Sequence, residues 1–373
     1  MRSPELGGAA DDLAVDFGGR AYTYRELDRA IEEWIARNPE ATVYDASALP
    51  VPDALIRVCA AARRGVPVFV ENPAARPGRA DIPPEAFLLV ATSGSTGRPR
   101  PLARTAASWY DSFPAFTAIT GVSAADRVLI TGPLHATMHL FGALHALWRG
   151  ACVTDDPARA TVTHAVPSVL RAVVRTCPRL RTAIVAGIAL DDGALAAAAA
   201  VEVVEYYGSS EVSLVAARRV PEPMRLLDGV EAEVREGLLY VRSPYRVLGA
   251  PDWFGTGDLA VLGGDRELTV LGRGDCAINV GGTVVVAEDV ERVLGSLDGI
   301  AAVAVIGSPH AVLGETVTAA VQLDGGADLG AIRSRARRVL AKEAMPRRWV
   351  PLPALPRTAA GKVARGRLRD LLT

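Results

Sequence analysis

The chain between about residue 80 and residue 215 alternates short apolar runs with alanine-rich segments that suit helices. Three of the runs are typical of strands buried on both faces of a sheet: "RVLIT" (127–131), "TAIVAG" (182–187) and "VEVVEYY" (201–207). The helix-compatible segments are "GALHALWR", "PSVLRAVVRT" and "DGALAAAAA". Strands and helices in alternation predict a layered α/β domain whose sheet is mainly parallel.

The pattern changes after residue 215. The runs "LLYVRS", "LAVL" and "ELTVLG" favour antiparallel strands, and Gly263-Gly264-Asp265 between the last two predicts a hairpin turn. After "GRGDCAINVGG" a smaller α+β unit is predicted, with a short helix near "AEDVERVL", strands at "AAVAVIG" and "TVTAAVQL", and a basic helix over "LGAIRSRARRVLAKEA". We therefore predict two domains, residues 1–274 and 275–373, with the boundary at Asp275.

The composition is that of a globular protein. Half of the 373 residues are hydrophobic and 22% are charged, so a sizeable core is possible and wholesale disorder is excluded. The net charge of −1 argues against a nucleic-acid partner, and no apolar stretch is long enough to span a membrane. The four cysteines are scattered, without the paired spacing of a zinc site or a disulfide framework. We therefore predict a soluble, cytoplasmic protein.

One stretch, "FLLVATSGSTGRPRPLAR" (87–104), joins a strand-like apolar run to a turn rich in glycine and hydroxyl side chains. Backbone amides in such a turn can converge on phosphate oxygens, and arginine adds positive charge. The turn contains neither the Gly-Lys-Ser/Thr of the common nucleoside-triphosphate loop nor a Gly-x-Ser-x-Gly nucleophile motif. Considered alone, it is more often an ordinary surface turn.

Three further stretches carry chemically active side chains near predicted strand ends. Glu211 follows "YYGSS", where a carboxylate and hydroxyls could bind Mg²⁺ between protein and phosphates. Asp258 and Arg273 flank the predicted hairpin, where a carboxylate could accept hydrogen bonds from ribose hydroxyls. Lys362 lies in the basic stretch "PRTAAGKVARGRLRDLL". The alternatives are a solvated glutamate, a structural ion pair and a solvated lysine.

In this order, the motifs resemble the adenylate-forming superfamily of acyl- and aryl-CoA synthetases, firefly luciferase and the adenylation domains of peptide synthetases. "TSGSTGRPR" is similar to its phosphate loop, "YGSSE" to its second ATP motif, "GTGDLA" and "GRGDCAINVGG" to its ribose-binding and hinge regions, and "PRTAAGK" to its terminal lysine motif. The resemblance runs from "YTYRELDRAI" (22–31) to Lys362. It implies a shortened N-terminal AMP-binding domain with layered sheets and a small β-subdomain, followed by a mobile α+β lid that rotates about Asp275.

The resemblance also implies roles for the residues of these motifs. Lys362 would bridge the substrate carboxylate and the α-phosphate, and Glu211 would bind Mg²⁺ with Ser210 beside it. Asp258 would hold the ribose hydroxyls, helped by Arg273. Tyr207 would stack on adenine. The full set of residues that would bind ATP or AMP is Thr92, Ser93, Gly94, Ser95, Thr96, Gly97, Arg100, Gly187, Ile188, Ala189, Tyr207, Gly208, Ser209, Ser210, Asp258 and Arg273.

The stretch "TGPLHATMHLFGALHALWRG" (131–150) resembles the family's segment beside the acyl pocket. The resemblance implies that His135, Met138 and Phe141 line this pocket, although an apolar stripe at helical spacing is also what a core looks like. Amino-acid-activating members usually carry an aspartate here, and this segment has none, which favours a non-amino acid. The residues that would border the thiol tunnel are Asn279, Gly281 and Gly282.

The implied activity is conversion of a carboxylic acid, fatty or aryl, to an acyl-adenylate with release of pyrophosphate, followed by transfer to the thiol of CoA. ATP, Mg²⁺ and CoA would be required. The open alternatives are transfer to a carrier protein or an amine, and a non-catalytic binding module. Three departures matter. Arg100 replaces the family's usual lysine, and Ile188-Ala189 stand where the family more often has Ala-Pro. Only about ninety residues precede the phosphate loop, so part of the N-terminal subdomain is predicted to be reduced or lost.

Overall fold

The computed structural model describes residues 6–73, 82–91, 101–187, 190, 192–274, 277–280, 283–310, 313–357 and 363–372. Its strands, in chain order, are β1 (Leu13–Phe17), β2 (Arg20–Thr23), β3 (Tyr44–Asp45), β4 (Val68–Phe69), β5 (Leu88–Ala91), β6 (Pro101–Arg104), β7 (Arg127–Ile130), β8 (Cys152–Thr154), β9 (Val162–Ala165), β10 (Thr182–Val185), β11 (Glu202–Ser209), β12 (Ser213–Arg219), β13 (Arg225–Leu226), β14 (Glu231–Arg235), β15 (Leu238–Arg242), β16 (Phe254–Leu262), β17 (Leu268–Arg273), β18 (Ala277–Val280), β19 (Thr283–Val286), β20 (Ile300–His310), β21 (Gly314–Leu323) and β22 (Arg348–Pro351). The helices are α1 (Tyr24–Arg37), α2 (Val51–Arg64), α3 (Ala107–Tyr110), α4 (Phe113–Thr120), α5 (Thr137–Arg149), α6 (Pro167–Thr176), α7 (Asp192–Ala197), α8 (Ala287–Gly295), α9 (Leu329–Val339) and α10 (Arg365–Leu372).

The largest sheet has nine strands in the order β13-β12-β11-β10-β9-β7-β8-β1-β2. The six strands from β11 to β1 in this order are parallel, whereas β12, β13 and β2 are antiparallel to their neighbours. Every residue of β10 is buried, which explains its continuous apolar sequence. Helices α5, α6 and α7 follow β7, β9 and β10 along the chain. The mainly parallel α/β sheet predicted from the sequence is confirmed.

Local sequence sets the ends of the first two helices. α1 begins with a capping box: Oγ1 of Thr23 accepts a hydrogen bond from the backbone N–H of Glu26, and the Glu26 carboxylate accepts one from the N–H of Thr23. α2 ends at Gly65, whose φ of 66° is a left-handed conformation that favours glycine. Leu27 and Ile31 on α1 are fully buried, so an amphipathic face fixes this helix in the core.

A second sheet has the order β3-β4-β5-β6. Strands β3, β4 and β5 are parallel, and β6 is antiparallel to β5. The carboxyl ends of the three parallel strands therefore meet at one edge. β5 ends at this edge with Ala91, directly before the predicted phosphate loop in the sequence.

A third sheet, β14-β15-β16-β17, is antiparallel throughout and is the predicted small β-subdomain. The turn between β16 and β17 contains Gly263-Gly264-Asp265, so the predicted hairpin is confirmed. Asp265 and Arg266 have φ values of 53° and 61°, and Arg225 forms ion pairs with Asp265 and Glu267 across the turn.

The last part of the chain forms a sheet of order β19-β18-β21-β20, with β22 parallel to β21, together with α8, α9 and α10. The predicted basic helix is shorter than expected and ends at Val339 rather than Ala344. At Leu340 the backbone is extended, because the chain turns here to enter β22 beside β21. Leu340, Ala344 and Met345 pack against the buried cluster of this region while the chain turns.

The buried apolar side chains form separate clusters. One large cluster and two smaller ones lie within residues 14–268, and two others lie within residues 278–372. Among the described residues, no buried cluster includes members from both groups. No helix in the described part of the chain is both long and apolar enough to cross a membrane.

Candidate active site

Two residues from separate motifs are in contact between the nine-stranded sheet and the β-subdomain. Tyr207 is on β11 and Asp258 is on β16. The Tyr207 hydroxyl donates a hydrogen bond to Oδ2 of Asp258, and both residues are half-buried. The backbone N–H of Asp258 donates a hydrogen bond to Oγ1 of Thr256 at 3.2 Å, and this bond restrains the backbone of β16 at Asp258. The hydroxyl of Tyr207 therefore orients the carboxylate of Asp258.

Arg273 is opposite Asp258 in the ladder between β16 and β17. Residues directly opposite each other in an antiparallel pair have Cβ atoms about 5 Å apart. The sequence prediction that these two residues are neighbours on one rim is in agreement with this pairing. Of Arg273 the structure describes the backbone alone.

The turn after β11 holds Glu211 in a defined position. Oγ of Ser209 accepts hydrogen bonds from the backbone N–H groups of Glu211, at 3.2 Å, and Val212, at 3.4 Å. Gly208 has no space for a side chain, because an added Cβ would lie 2.0 Å from the carbonyl oxygen of Ser213 on the returning strand. The tight β11–β12 hairpin thus fixes both the strand end and the backbone of Glu211.

The first turn of α5 approaches the same place. Oγ1 of Thr137, the first residue of α5, is 3.5 Å from Oγ of Ser210. The amino end of a helix carries unpaired N–H groups and a partial positive charge, and both favour a nearby anion. The Glu211 turn, a hydroxyl from each element and the start of α5 therefore form one polar corner.

A cavity of about 350 Å³ opens next to His135, two residues before α5. Its walls include Ser47, Val70 and Leu134, which follow the carboxyl ends of β3, β4 and β7. Ligands of open α/β sheets bind outside these carboxyl ends. Burial lowers the pKa of His135 below its ordinary value, so the imidazole is neutral at pH 7. The cavity is suited to a small organic molecule.

The donors in the polar corner suit magnesium better than a transition metal. No group of three or more His, Cys, Asp and Glu side chains that could hold a metal occurs in the described ranges. Glu211 with the hydroxyls of Ser210 and Thr137 offers oxygen atoms alone, and Mg²⁺ typically uses one or two protein carboxylates together with substrate phosphates and water. The residues present therefore fit Mg²⁺ delivered with a nucleotide.

The remaining predicted residues are placed as follows. Gly187, which follows β10, has a φ of 97°, as glycine permits. Met138 is half-buried on α5, and Asn279 is opposite Val284 in the β18–β19 ladder. Phe141 is buried between Trp109 and other rings, and neither it nor Met138 is in the wall of the His135 cavity. The predicted residues that lie outside the described ranges are Thr92, Ser93, Gly94, Ser95, Thr96, Gly97, Arg100, Ile188, Ala189, Asp275, Gly281, Gly282 and Lys362.

Sequence reasoning missed one residue of this region, Arg104. It is the last residue of β6 and is only 1% exposed. Its guanidinium donates to the backbone carbonyl oxygen of Ser210, directly before Glu211. The one available hint was its place at the end of the stretch 87–104, immediately after the predicted phosphate loop.

Three buried histidines lie behind the site in an aromatic core. The ring of His145 packs against Phe116 and Phe141, and the ring of His164 packs against Phe116. His139 lies close enough to His164 to interact with it electrostatically. Both ring nitrogens of His164, and Nδ1 of the other two, have no hydrogen-bond partner among the described residues. Burial, with a smaller effect of His139, lowers the pKa of His164 to about 3, and burial lowers the pKa of His139 to about 4. The pKa of His145 is also well below its ordinary value because of burial.

We expect this cluster to make the protein sensitive to acid. In the unfolded chain each imidazole binds a proton near pH 6.5, whereas in the folded protein it does not, so stability is complete above pH 6.5 and is lost as the pH falls towards 4. For each histidine, the free energy of unfolding should fall by up to about 1.4 kcal/mol per pH unit in this range. Urea unfolding at pH 7, 6 and 5 measures the slope. His164→Leu should make the slope shallower, whereas Leu170→Ala, a fully buried apolar truncation, should lower stability equally at each pH. An identical slope in His164→Leu and the wild type would contradict the assignment.

Comparison with known proteins supports a class of enzymes that bind AMP. The family model for AMP-binding enzymes matches residues 61–236, and the model for the AMP-binding enzyme C-terminal domain matches residues 289–362. The two models match separate stretches of the chain, one on each side of the boundary predicted from the sequence. The chain belongs to the AMP-binding enzyme family, within the adenylate-forming superfamily, and this prediction is confirmed.

Individual relatives agree with this placement. The chain is 29% identical over 334 residues to an uncharacterized acyl–CoA ligase, YhfT, of Bacillus subtilis, covering 78% of this chain and 69% of the relative. It is 37% identical over 191 residues to a probable 2-succinylbenzoate–CoA ligase of Mycobacterium tuberculosis, covering 46% of this chain and 49% of that protein. The chain therefore spans about two thirds of the first relative and about half of the second. Both names agree with the predicted class of activity, an acid–thiol ligase.

The fold agrees as well. The o-succinylbenzoate CoA synthetase (MenE) of Bacillus subtilis, solved with its acyl-adenylate intermediate, superposes with a TM-score of 0.82 at 20% identity. The superposition covers 96% of this chain and 96% of that chain. At this identity the likeness establishes the fold, and the predicted fold class is confirmed.

Proposed function

We propose that this protein uses ATP to convert a carboxylic acid to an acyl-adenylate, releases pyrophosphate, and transfers the acyl group to the thiol of CoA. The observation that carries the proposal is the convergence of three motifs that are distant in sequence. Tyr207 contacts Asp258, Arg273 is opposite Asp258, and Glu211 is in the turn that follows Tyr207. A shared ATP site would explain why these residue types lie close together.

The chemistry explains why such a site is needed. A carboxylate is a poor acyl donor because its leaving group would be oxide. When a carboxylate oxygen attacks the α-phosphorus of ATP, the bond to pyrophosphate breaks and a mixed anhydride forms. A thiol sulfur can then attack the acyl carbon, lose its proton and displace AMP. Since the carboxylate and the triphosphate are both anions, catalysis consists mainly of positioning and charge neutralisation.

The described residues divide this work. Asp258, held by Tyr207, accepts hydrogen bonds from the ribose hydroxyls, and Glu211 with Ser210 is placed to hold Mg²⁺. Mg²⁺ bound here would supply positive charge that offsets the phosphates during transfer. Residues 92–97 follow β5 in the sequence. Their backbone amides and hydroxyls would bind the terminal phosphates.

The use of lysine along the chain supports a catalytic role for Lys362. Lysine and arginine together number 41, and just two of these residues are lysine, Lys342 and Lys362. A position that tolerated any cation would therefore be expected to carry arginine. A compact ammonium on a flexible stem can fit between the substrate carboxylate and the α-phosphate, whereas the donors of a guanidinium are held in a wider, planar fork. We propose that Lys362 bridges these two anions.

The acid is proposed to be a non-amino carboxylic acid. The 131–150 segment contains no aspartate to pair with an ammonium group, and the cavity beside His135 has mainly apolar walls. A neutral His135 can donate a hydrogen bond to the carboxylate without a charged anchor. The thiol is proposed to arrive along the side bordered by Asn279, in the first strand of the last sheet.

We also propose that residues 1–274 and 275–373 are two domains that rotate about Asp275. The separation of the buried clusters supports this division, because little core would be disrupted by movement at the boundary. Rotation is one way for the lysine to leave so that a thiol can approach the same acyl carbon.

The direct test is a panel of acids in a pyrophosphate-release assay. Fatty, aryl, dicarboxylic and amino acids are each added with MgATP, and hydroxylamine is used to trap any acyl-adenylate as a hydroxamate. We expect release with aryl or fatty acids and CoA thioester when CoA is present. Hydroxamate without thioester would direct the search to a carrier protein or an amine as acceptor. Absence of acid-dependent release across the whole panel would contradict the proposal.

We expect Tyr207→Phe to raise the KM for ATP about tenfold and to change kcat by less than about threefold. The substitution keeps the ring for stacking on adenine but removes the hydrogen bond that orients Asp258, and a bond to a charged group contributes about 1.5 kcal/mol or more. Steady-state kinetics with ATP varied at saturating acid measure the effect. Tyr240→Phe, on β15 of the β-subdomain, is a suitable control and should leave the KM unchanged. An unchanged KM in Tyr207→Phe would remove Tyr207 from the ribose site.

A further inference from the structure

Arg104 is among the largest fully buried side chains of the protein. Its Nη1 donates to the carbonyl oxygen of Tyr245 at 2.6 Å, and its Nη2 donates to the carbonyl oxygen of Ser210 at 2.5 Å. The guanidinium carbon is 5.1 Å from the centroid of the Trp109 ring. Within the described part of the chain, these hydrogen-bond acceptors are backbone carbonyls, and none is a carboxylate.

Such an arginine is costly to bury. Burial lowers the pKa of Arg104 to about 10, so the group is still charged at pH 7, and the carboxylate of Glu211 partly offsets this effect. Its Nε has no hydrogen-bond partner among the described residues. An apolar side chain of similar length could fill the same space without the desolvation of a charge. Packing alone therefore does not explain this residue.

The partners of Arg104 give the explanation. Its two carbonyl acceptors belong to the Glu211 turn and to the segment that follows β15. That segment also bonds to both neighbours: the N–H of Val247 donates to the carbonyl oxygen of Glu211 at 2.8 Å, and the N–H of Leu248 donates to that of Ala103 at 2.8 Å. These hydrogen bonds link the Glu211 turn, through residues 245–248, to β6, the strand that follows the predicted phosphate loop in the sequence.

We propose that Arg104 is a positioning residue that holds the Glu211 turn against β6, so that Glu211 is oriented to bind Mg²⁺ together with ATP. The inference rests on the proposed function, in which Glu211 holds Mg²⁺. The planar fork of the guanidinium reaches two carbonyls at once, which a lysine ammonium cannot do with the same geometry. Partners that orient a metal ligand commonly change metal affinity by about 10- to 100-fold when removed.

The test uses ATP binding rather than turnover. Titration calorimetry measures ATP affinity over a range of Mg²⁺ concentrations for the wild type, Arg104→Lys and Arg104→Met, with thermal unfolding as a check of folding. We expect the Mg²⁺ concentration for half-maximal enhancement of ATP binding to rise about tenfold in both variants, with Mg²⁺-free ATP binding changed less than about twofold. Arg64→Lys is the matched control, because Arg64 also donates to two backbone carbonyls, those of Asn38 and Pro39, at the end of α2. It should bind ATP like the wild type.

A double variant separates positioning from general damage. If Arg104 acts through Glu211, Arg104→Lys should have no further effect on Mg²⁺ dependence when combined with Glu211→Gln. Equal losses of ATP affinity with and without Mg²⁺, additive losses in the double variant, or wild-type Mg²⁺ dependence in Arg104→Lys would each overturn the inference. Wild-type protein that fails to bind MgATP would overturn the proposed function as well, whereas normal binding by wild type and variants alike would overturn this inference alone.

Discussion

Replacing Lys362 by alanine is expected to lower the rate of acyl-adenylate formation by about 10²- to 10³-fold while ATP affinity stays within about threefold of the wild type. The lysine is proposed to neutralise charge where the carboxylate meets the α-phosphate, and this charge develops most fully in the transition state. Its loss should therefore affect kcat much more than binding. Acid-dependent exchange of pyrophosphate into ATP measures the rate, and titration calorimetry measures ATP affinity.

The chain provides a matched control for this experiment. Lys342 is the other lysine, and it is exposed in the turn after α9. Lys342→Ala should exchange pyrophosphate at the wild-type rate. Lys362→Arg keeps the charge but replaces the ammonium by a planar fork, so we expect at most a small recovery. Exchange by Lys362→Ala at the wild-type rate would exclude the proposed role.

The central fold could be predicted from the sequence because burial on both faces constrains composition strongly. β7 and β10 coincide with the predicted apolar runs to within two residues, and so does β11. The Gly263-Gly264-Asp265 hairpin was predictable for a different reason, since turn geometry restricts residue type. The end of α9 was not predictable, because Leu340 to Ala344 are good helix formers and are extended or turned by the demands of β22.

The site was predictable only where its residues are adjacent in one hairpin. The pairing of Asp258 with Arg273 follows from the β16–β17 turn. The contact between Tyr207 and Asp258 joins residues 51 positions apart and depends on how two sheets pack, which local sequence does not encode. Arg104 escaped prediction because an arginine after a polar loop usually lies in solvent, and its acceptors are 106 and 141 positions further along the chain.

Phe141 illustrates the limit of helical periodicity. It was predicted to line a substrate pocket because the segment 131–150 resembles the family's segment beside the acyl pocket. In the structure its ring packs edge-on against Phe113, Phe116 and Trp109, all of which are buried. Large apolar residues at helical spacing can pack against a protein core or line a ligand pocket. Because the spacing is the same in both cases, the sequence alone does not distinguish them. Its role in the pocket remains a prediction.

Glu211→Gln is expected to lower kcat/KM for ATP by about 10²-fold or more and to raise the Mg²⁺ concentration needed for half-maximal activity. The amide keeps the size of the side chain and the hydrogen bonds that Ser209 accepts in this turn, but it removes the carboxylate that is proposed to bind Mg²⁺. The variant should still fold, but its thermal midpoint should fall by about 2–4 °C, because the Glu211 carboxylate partly offsets the burial of the Arg104 charge. Pyrophosphate release and ATP binding over a Mg²⁺ series measure the effect.

Glu202→Gln is the control for this experiment. Glu202 is the first residue of β11, the strand that leads to the Glu211 turn, and it is paired with Arg219, so the variant should retain wild-type Mg²⁺ dependence. A Glu211→Gln variant with normal Mg²⁺ dependence would show that Glu211 is not the metal ligand. Tyr207 and Asp258 would then belong to a nucleotide site whose metal, if it uses one, is held by other residues.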